Sequence, residues 1–355
     1  MKSFKVGRIA GIDVNIHFSF IFILLLLAYI FYVSPPPFGY SNLGYIGAIY
    51  AVITSILIFI AVLIHELCHS LVAKRFGAKV RGIILFIFGG IALIEDLPKE
   101  PKKEFLIAIA GPMSNFVIAF ICYLLMPLSQ LFYILAYFNV LLAVFNLLPA
   151  FPMDGGRILR SFLARKKGYI RATKIAAEVG KFLAILMGII GILAVNLWLI
   201  LIALFIYVGA SEEEQLVTLE GLLSNVKVKD IMTPNPIYVT PDTKVKDVIA
   251  LMLKYKHLGY PVIENDKLVG IVTLEDVANA DENVEVKSVM TRELITISPD
   301  SSAFDALKLM SERGIGRVLV TENDKLIGIV SRSDIIKVAE ILEVFKLKTE
   351  FRLNF

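Results

Sequence analysis

Hydrophobic and polar residues divide the chain into two unlike parts. Residues 14–210 hold long apolar runs, whereas residues 211–355 read like an ordinary soluble protein. A helix that crosses a membrane needs roughly 20 mostly apolar residues. Six segments of the first part are candidates, the last of them short: 16–33, 45–72, 105–125, 128–148, 172–195 and 197–208. The pattern predicts an α-helical polytopic membrane domain of about six transmembrane helices over residues 1–210.

Composition agrees with a membrane protein. The chain is 57% hydrophobic and 19% charged, whereas an ordinary soluble domain is about 45–50% apolar and about 25% charged. The formal net charge of +4 is modest and gives no reason to expect nucleic acid as a partner. Cys68 and Cys122 both lie inside apolar runs, so the sequence does not indicate a disulfide framework.

Basic residues are confined to alternate loops. The loops after the first, third and fifth predicted spans contain no Lys or Arg, whereas the N-terminus and the loops after the second and fourth spans are rich in both. Positively charged loops stay in the cytoplasm. The alternation predicts a multi-pass protein of the cell membrane with its N- and C-termini in the cytoplasm.

The segment 80–97 is too short to be a further span. Its β-branched residues and Gly89-Gly90 favour a hairpin or a re-entrant pair of strands. An ordinary cytoplasmic loop is the alternative, because short apolar runs are ambiguous.

The second predicted span contains the sequence His65-Glu66-Leu67-Cys68-His69. Residues four apart lie on one face of a helix, so His65 and His69 can bind one Zn²⁺ while Glu66 activates a water molecule. Ionisable groups inside a span are costly and are functional by default. The alternative, two histidines that hydrogen-bond a neighbouring helix, leaves Glu66 unexplained.

A catalytic zinc needs a third protein ligand. Of the four histidines, His17 opens the first predicted span and His257 lies in the soluble part, so neither is suitable. Asp154 is the best candidate, because it follows two prolines that end the fourth span, and Gly155 and Gly156 allow tight turns after it. The alternative is a loop carboxylate without a ligand role.

These two motifs, with Asn146-Leu-Leu-Pro-Ala-Phe-Pro-Met-Asp154-Gly155 as the second, resemble the site-2 protease family of intramembrane zinc metalloproteases. The resemblance implies one Zn²⁺ per chain bound by His65, His69 and Asp154, with Glu66 as general base. It also places Asn146 in the active site, in contact with the substrate backbone or oxyanion, and implies transmembrane proteins as substrates. Gly111-Pro-Met-Ser-Asn115 is similar to another family feature, for which we expect close helix packing rather than chemistry.

The soluble part contains an internal repeat at an offset of 58 residues. The segment from Val228 aligns with that from Val286, and the segment from Glu264 aligns with that from Glu322. Each copy predicts the order strand, helix, strand, strand, helix, and two stacked copies can bury the face that one copy exposes.

The two copies resemble a tandem pair of CBS domains, an α/β domain that we place at residues 226–340. A linker at 211–225 precedes it, and an amphipathic C-terminal tail helix at 341–355 follows it. The resemblance implies that Thr273, Asp276, Ser331 and Asp334 bind an adenine nucleotide (AMP, ADP or ATP), with the hydroxyls on phosphate and the carboxylates on ribose. It also implies a regulatory role for the nucleotide and allows a homodimer formed through the CBS domains. A dimerisation module without a ligand is the alternative.

Two other function classes remain open on the residues alone. A transporter gated by its CBS pair would explain the helix interruption at 149–156, but not the two histidines around a glutamate. An inactive membrane scaffold would have no use for Glu66.

Overall fold

The computed structural model describes residues 3–87, 89–95, 97–323 and 325–353, with side-chain environments through residue 345. It divides into two compact units, Met1–Gln215 and Leu216–Phe355. The boundary lies within five residues of the change from apolar to soluble composition that the sequence predicts at residue 210.

A four-stranded sheet belongs to the first unit. Its strands are β1 (Ser3–Ile9), β2 (Ile12–His17), β3 (Lys79–Phe86) and β4 (Gly89–Glu95), in that order. Strands β2 and β3 are parallel, and the other two pairings are antiparallel. The β1–β2 turn consists of Ala10 and Gly11, both with positive φ, as a tight hairpin requires. Strands β3 and β4 confirm the hairpin prediction for 80–97, and β4 is an edge strand in the described part of the chain.

The helices that begin in the first unit are α1 (Ser19–Val33), α2 (Gly44–Arg75), α3 (Pro101–Leu125), α4 (Gln130–Asn146), α5 (Asp154–Lys167), α6 (Tyr169–Leu193) and α7 (Leu197–Leu223). Pro101 occupies the first turn of α3, where a missing N–H costs nothing. Lys74 and Arg75 lie in the last turn of α2, where positive charge interacts favourably with the helix dipole.

Among the described residues, three helical segments are long and apolar enough to cross a membrane: Ser41–Arg75, Pro101–Leu128 and Tyr169–Leu193. Helices α1 and α4 are apolar but shorter, with 15 and 17 residues. The sixth predicted span is the first half of α7, which continues through Glu212, Glu213 and Glu214. The structure therefore supports a helical membrane-type domain, and the count of six spans stays a prediction.

Two expectations for the first unit need correction. The first span does not begin at residue 16, since Ile16 and His17 belong to β2 and α1 starts at Ser19. The segment after Asp154 is not a series of turns but helix α5, which the sequence analysis missed. Its glycines permit close packing instead, because a Cβ on Gly155 would lie 2.1 Å from the Leu148 carbonyl oxygen.

The second unit contains both copies of the repeat. Its helices and strands are α8 (Val228–Ile231), β5 (Thr233–Pro234), α9 (Val245–Tyr255), β6 (Gly259–Glu264), β7 (Lys267–Thr273), α10 (Leu274–Ala278), β8 (Thr296–Ile297), α11 (Ala303–Arg313), β9 (Arg317–Glu322), β10 (Lys325–Ser331) and α12 (Arg332–Leu353). The second copy follows the predicted order. In the first copy a single bridge between Val239 and Val262 stands where the first strand is expected.

The two copies exchange short segments. Thr233 of the first copy pairs with Ile329 on β10, and Thr291 of the second copy bridges to Ile271 on β7. Each copy therefore completes a structure begun by the other, which is how the pair buries surface that one copy would expose.

Two segment boundaries differ from the sequence prediction. Most of the predicted linker 211–225 is helical, because α7 runs through Leu223, and Leu223 is fully buried in the core of the second unit. The tail 341–355 is not a separate helix either. Its described backbone continues α12, which begins at Arg332 directly after Ser331.

Candidate metal centre

Helix α2 presents two buried histidines to the first residue of α5. The Nε2 atoms of His65 and His69 lie 3.0 Å apart, and Oδ2 of Asp154 lies 3.2 Å and 3.0 Å from them. The three ligand atoms fall within 4.8 Å of one another, a spacing that could hold one metal ion. The structure thus brings together the three residues that the sequence predicts as ligands, although Asp154 lies 89 residues from His65 and 85 residues from His69 along the chain.

Hydrogen bonds to the Nδ1 atoms of His65 and His69 determine which nitrogen of each ring carries the proton. Nδ1 of His69 lies 2.7 Å from the Ile107 carbonyl oxygen, which can only accept, so this nitrogen carries the proton. Nδ1 of His65 lies 2.6 Å from Oδ1 of Asn115, and the Asn115 amide group donates to Oδ1 of Asn139 at 3.1 Å. That chain assigns the proton of His65 to Nδ1 as well.

Two neutral rings in these tautomers direct the lone pairs of both Nε2 atoms toward a carboxylate oxygen. Three acceptors within hydrogen-bonding distance of one another repel unless a cation lies among them. Two imidazoles and one carboxylate are also the donor types that zinc prefers in a catalytic site with three protein ligands. The donor set therefore fits a zinc ion.

Helix α3 passes very close to the two histidines. A Cβ on Gly111 would lie 2.2 Å from Nε2 of His69 and 2.5 Å from Nε2 of His65. Such distances do not occur between real atoms, so only glycine fits there. Gly111 therefore packs closely, as expected, and it packs against the two histidine rings.

Glu66 lies beside the cluster without belonging to it. The group that could hold a metal consists of the two histidines and Asp154. Strand β4 covers Glu66, because a Cβ on Gly90 would lie 2.6 Å from Cγ of Glu66. Glu66 as a whole is half-buried.

Asn146 has no described hydrogen bond to the cluster. Its amide group donates to the Leu142 carbonyl oxygen in its own helix at 3.0 Å. The fully buried Asn115 hydrogen-bonds His65 instead, and the fully buried Asn139 accepts a hydrogen bond from Asn115. The sequence predicts a packing role for Asn115 and no role for Asn139, although polar side chains within apolar spans are a signal of function.

A buried arginine fixes the helix that begins at Asp154. Arg160 of α5 donates to Oε1 of Glu104 on α3 at 2.6 Å and pairs with Glu213 on α7. Its guanidinium lies over the rings of Phe151 and Tyr169, 4.9 Å and 4.7 Å from their centroids. The cluster joins α5 to the helix whose Ile107 carbonyl orients His69.

The CBS residues form two similar hydroxyl–carboxylate pairs, each in its own cavity. The Thr273 hydroxyl donates to Oδ2 of Asp276 at 2.7 Å, and the Ser331 hydroxyl donates to Oδ2 of Asp334 at 2.6 Å. Arg317 lines both cavities, and burial lowers the pKa of its guanidinium below the ordinary value. Arginine stays protonated near neutral pH even so.

Known proteins match both units. Peptidase family M50 matches residues 53–130 and 125–187, and the CBS domain family matches residues 228–283 and 286–341. The zinc metalloprotease MJ0392 of Methanocaldococcus jannaschii is 40% identical over 352 residues, which cover 96% of this chain and 97% of that protein. The chain belongs to peptidase family M50, the site-2 proteases.

Two solved structures are also similar. A site-2 protease from Methanocaldococcus jannaschii matches 60% of this chain and 95% of its own, with 38% identity and a TM-score of 0.46. The protein CBSX2, solved in complex with AMP, matches 34% of this chain and 99% of its own, with 28% identity and a TM-score of 0.31.

Family membership decides among the function classes left open by the residues. The chain is a site-2 protease-type zinc metalloprotease with a tandem pair of CBS domains. The alternatives of a CBS-gated transporter and of an inactive scaffold are not supported.

Proposed function

We propose that this M50 protease cleaves peptide bonds within the transmembrane segments of other membrane proteins. His65, His69 and Asp154 hold its zinc ion, Glu66 is its general base, and an adenosyl nucleotide bound to the CBS pair regulates it. The observation that carries the proposal is that Asp154 of α5 meets His65 and His69 of α2, a helix apolar enough to cross a membrane. His65 lies ten residues before Arg75, or about 15 Å along the helix.

The roles of the residues follow from their positions. A zinc ion in this site supplies a Lewis acid for the scissile carbonyl and lowers the pKa of the attacking water. Glu66 removes the proton from that water and later gives it to the leaving amine. Asn115 and the Ile107 carbonyl hold the two rings so that Nε2, rather than Nδ1, faces the ion.

The orientation in the membrane rests on the loop charges. The basic residues follow α2 and α4 and precede β2, so we place the N- and C-termini in the cytoplasm of a multi-pass membrane protein. The metal centre then lies nearer the cytoplasmic face, toward the C-terminal end of α2.

Cleavage of a designed substrate tests the proposal. A peptide bond in an intact helix is shielded from attack. A single-span substrate with two helix-breaking residues in its span should therefore be cut within that span. We expect the same span without the breaker to be cut at least about tenfold more slowly, because the helix must unwind before attack. Purified full-length protein in lipid vesicles and mass spectrometry of the products would show this. Cuts confined to the aqueous flanks of the substrate would contradict an intramembrane site.

Strand β4 is suited to receive the unwound substrate. It lies at the edge of the sheet in the described part of the chain, and its Gly90 contacts Glu66. An extended segment can add to such an edge through main-chain hydrogen bonds, which would place its carbonyl groups beside the general base.

Proline scanning of Ile91, Ala92, Leu93 and Ile94 tests this docking. In an antiparallel pair, alternate residues direct their N–H groups away from the partner strand. Proline at those positions should reduce cleavage at least about tenfold while zinc content and melting temperature stay near wild type, because only the outward N–H is lost. Proline at the other two positions removes a bond to β3 and should lower the melting temperature. Wild-type cleavage by every folded variant would exclude docking on β4.

A further inference from the structure

The two CBS cavities carry opposite charge. The larger, of about 1020 Å³, is lined by Lys256, Arg317, Arg332 and Lys337 against one carboxylate, Asp334. We call it the Asp334 cavity. The smaller, of about 360 Å³, is lined by Glu275, Asp276 and Glu293 against one cation, Arg317. We call it the Asp276 cavity.

This asymmetry arises from differences between otherwise similar repeats. Corresponding residues are 58 positions apart, so the lining residues of one cavity can be compared with the residues at the same positions in the other repeat. At three corresponding pairs the residue of the Asp334 cavity is the more positive: Arg332 in place of Leu274, Ser333 in place of Glu275, and Asn235 in place of Glu293. These three differences make the Asp334 cavity the more positive of the two.

The two aspartates also differ in how they are bonded. Both carboxylate oxygens of Asp276 accept hydrogen bonds, Oδ2 from Thr273 and Oδ1 from the Thr291 hydroxyl at 3.2 Å. Asp334 accepts from the backbone and hydroxyl of Ser331 through Oδ2 only, as far as the described residues go. Its Oδ1 is therefore available to the hydroxyls of a ligand, whereas Asp276 is already engaged.

The Asp334 cavity has further features that suit an anion. Arg332 opens α12, a helix of 22 residues, and backbone N–H groups at a helix N-terminus favour negative charge. Solvated lysines and arginines on an open surface would not mark a site. Here they surround a cavity whose volume is at the upper end of the range for small-molecule sites, about 300–1,000 Å³.

We propose that the Asp334 cavity is the site for a phosphorylated nucleoside, with the phosphates facing Arg332, Lys337 and Lys256 and the ribose hydroxyls on Asp334. The Asp276 cavity, with three carboxylates, excludes phosphate groups. This assignment rests on the proposed regulatory function of the CBS pair and adds which of the two motifs binds the nucleotide and which chemical group selects it.

Binding of adenosine, AMP, ADP and ATP to the purified full-length chain tests the proposal. Affinity should rise with each added phosphate, and added salt should weaken ATP binding more than adenosine binding, since the cations act on the phosphates. Asp334→Asn should weaken ATP binding at least about tenfold, because a charged acceptor of ribose hydroxyls is lost. Asp276→Asn should leave ATP binding within about twofold of wild type.

A double variant isolates the phosphate contribution. Arg332→Leu with Lys337→Asn gives the Asp334 cavity the residues that the other repeat carries at those positions. It should weaken ATP binding about 10- to 100-fold and leave adenosine binding unchanged, since only phosphate contacts are removed. The matched control, Lys246→Asn with Lys325→Leu, removes two exposed cations outside both cavities and should bind ATP as wild type does.

Several results would overturn the assignment: ATP binding lost in Asp276→Asn but kept in Asp334→Asn, equal affinity for all four ligands, or no binding of any of them.

Cleavage measured on the same wild-type preparation separates this inference from the proposed function. If ATP binds at the Asp334 cavity without changing the cleavage rate, the regulatory role fails and the site assignment stands. If the protein cuts no substrate, the protease proposal fails independently of the binding result.

Discussion

Replacing Glu66 by glutamine should reduce substrate cleavage by about 10²- to 10⁴-fold while leaving the zinc content at the wild-type level. Loss of a general base typically costs this much, because the amide cannot take the proton from the attacking water. Zinc should be retained because Glu66 is outside the group of three candidate ligands. The substitution also keeps the side-chain size, so the contact between Cγ and Gly90 of β4 is preserved.

Zinc analysis and single-turnover cleavage on the same preparation measure both quantities. Glu100→Gln is a suitable control, because it neutralises an exposed carboxylate of the same unit whose only described ion pair is with Lys103. The control should cut as wild type does. A Glu66→Gln protein that loses zinc would instead assign Glu66 to the metal, and one that keeps full activity would remove it from the mechanism.

The metal centre was the part of the structure most accessible from sequence. His65 and His69 are four residues apart on a long apolar segment. A helix there brings them to one face wherever its ends lie. Asp154 could be proposed as a partner because prolines interrupt the fourth span just before it. The structure places all three together, and their assignment as zinc ligands remains for metal analysis to test.

Residues that support the centre were harder to find, because their partners are distant in sequence. Asn115 bonds a ring 50 residues away, and Arg160 pairs with Glu104 across 56 residues. Hydrophobic periodicity reports which face of a helix is apolar, but it does not report which neighbour that face meets. A buried polar residue in an apolar helix is visible from sequence, whereas its partner is not.

The N-terminal hairpin and α5 show a different failure. Ile16 near the end of β2 lies close to the apolar run of α1, so hydrophobicity alone extended the first span back through Ile16 and His17. In α5, Gly155 and Gly156 suggest turns by composition. They lie in the first helical turn, where the preceding loop packs against them too closely for any side chain. In α5, packing against the preceding loop overrode the turn preference of the two glycines.

Substituting Gly111 by alanine should abolish zinc binding while the protein stays folded. The added methyl group would lie 2.2 Å and 2.5 Å from the Nε2 atoms of His69 and His65, so at least one ring must leave its position. Changes in residues that merely orient metal ligands typically cost 10–100-fold in metal affinity. A change that displaces the ligands themselves should cost at least about 100-fold, and cleavage should be lost with the metal.

Gly188→Ala provides the matched control, because it makes the same substitution in the apolar helix α6. The nearest atom to its added Cβ would be Cβ of Ala203 at 3.7 Å, an ordinary contact. Both substitutions favour the helix, since alanine has the higher helix propensity by about 1 kcal/mol. A general effect of alanine on helix stability would therefore act equally in the two proteins. Loss of zinc in Gly111→Ala alone, measured by metal analysis and chelator competition, would show that α3 determines the geometry of the two histidines. Wild-type zinc affinity in that variant would mean that the rings can move aside and still bind, and that the close approach of α3 is not required for the site.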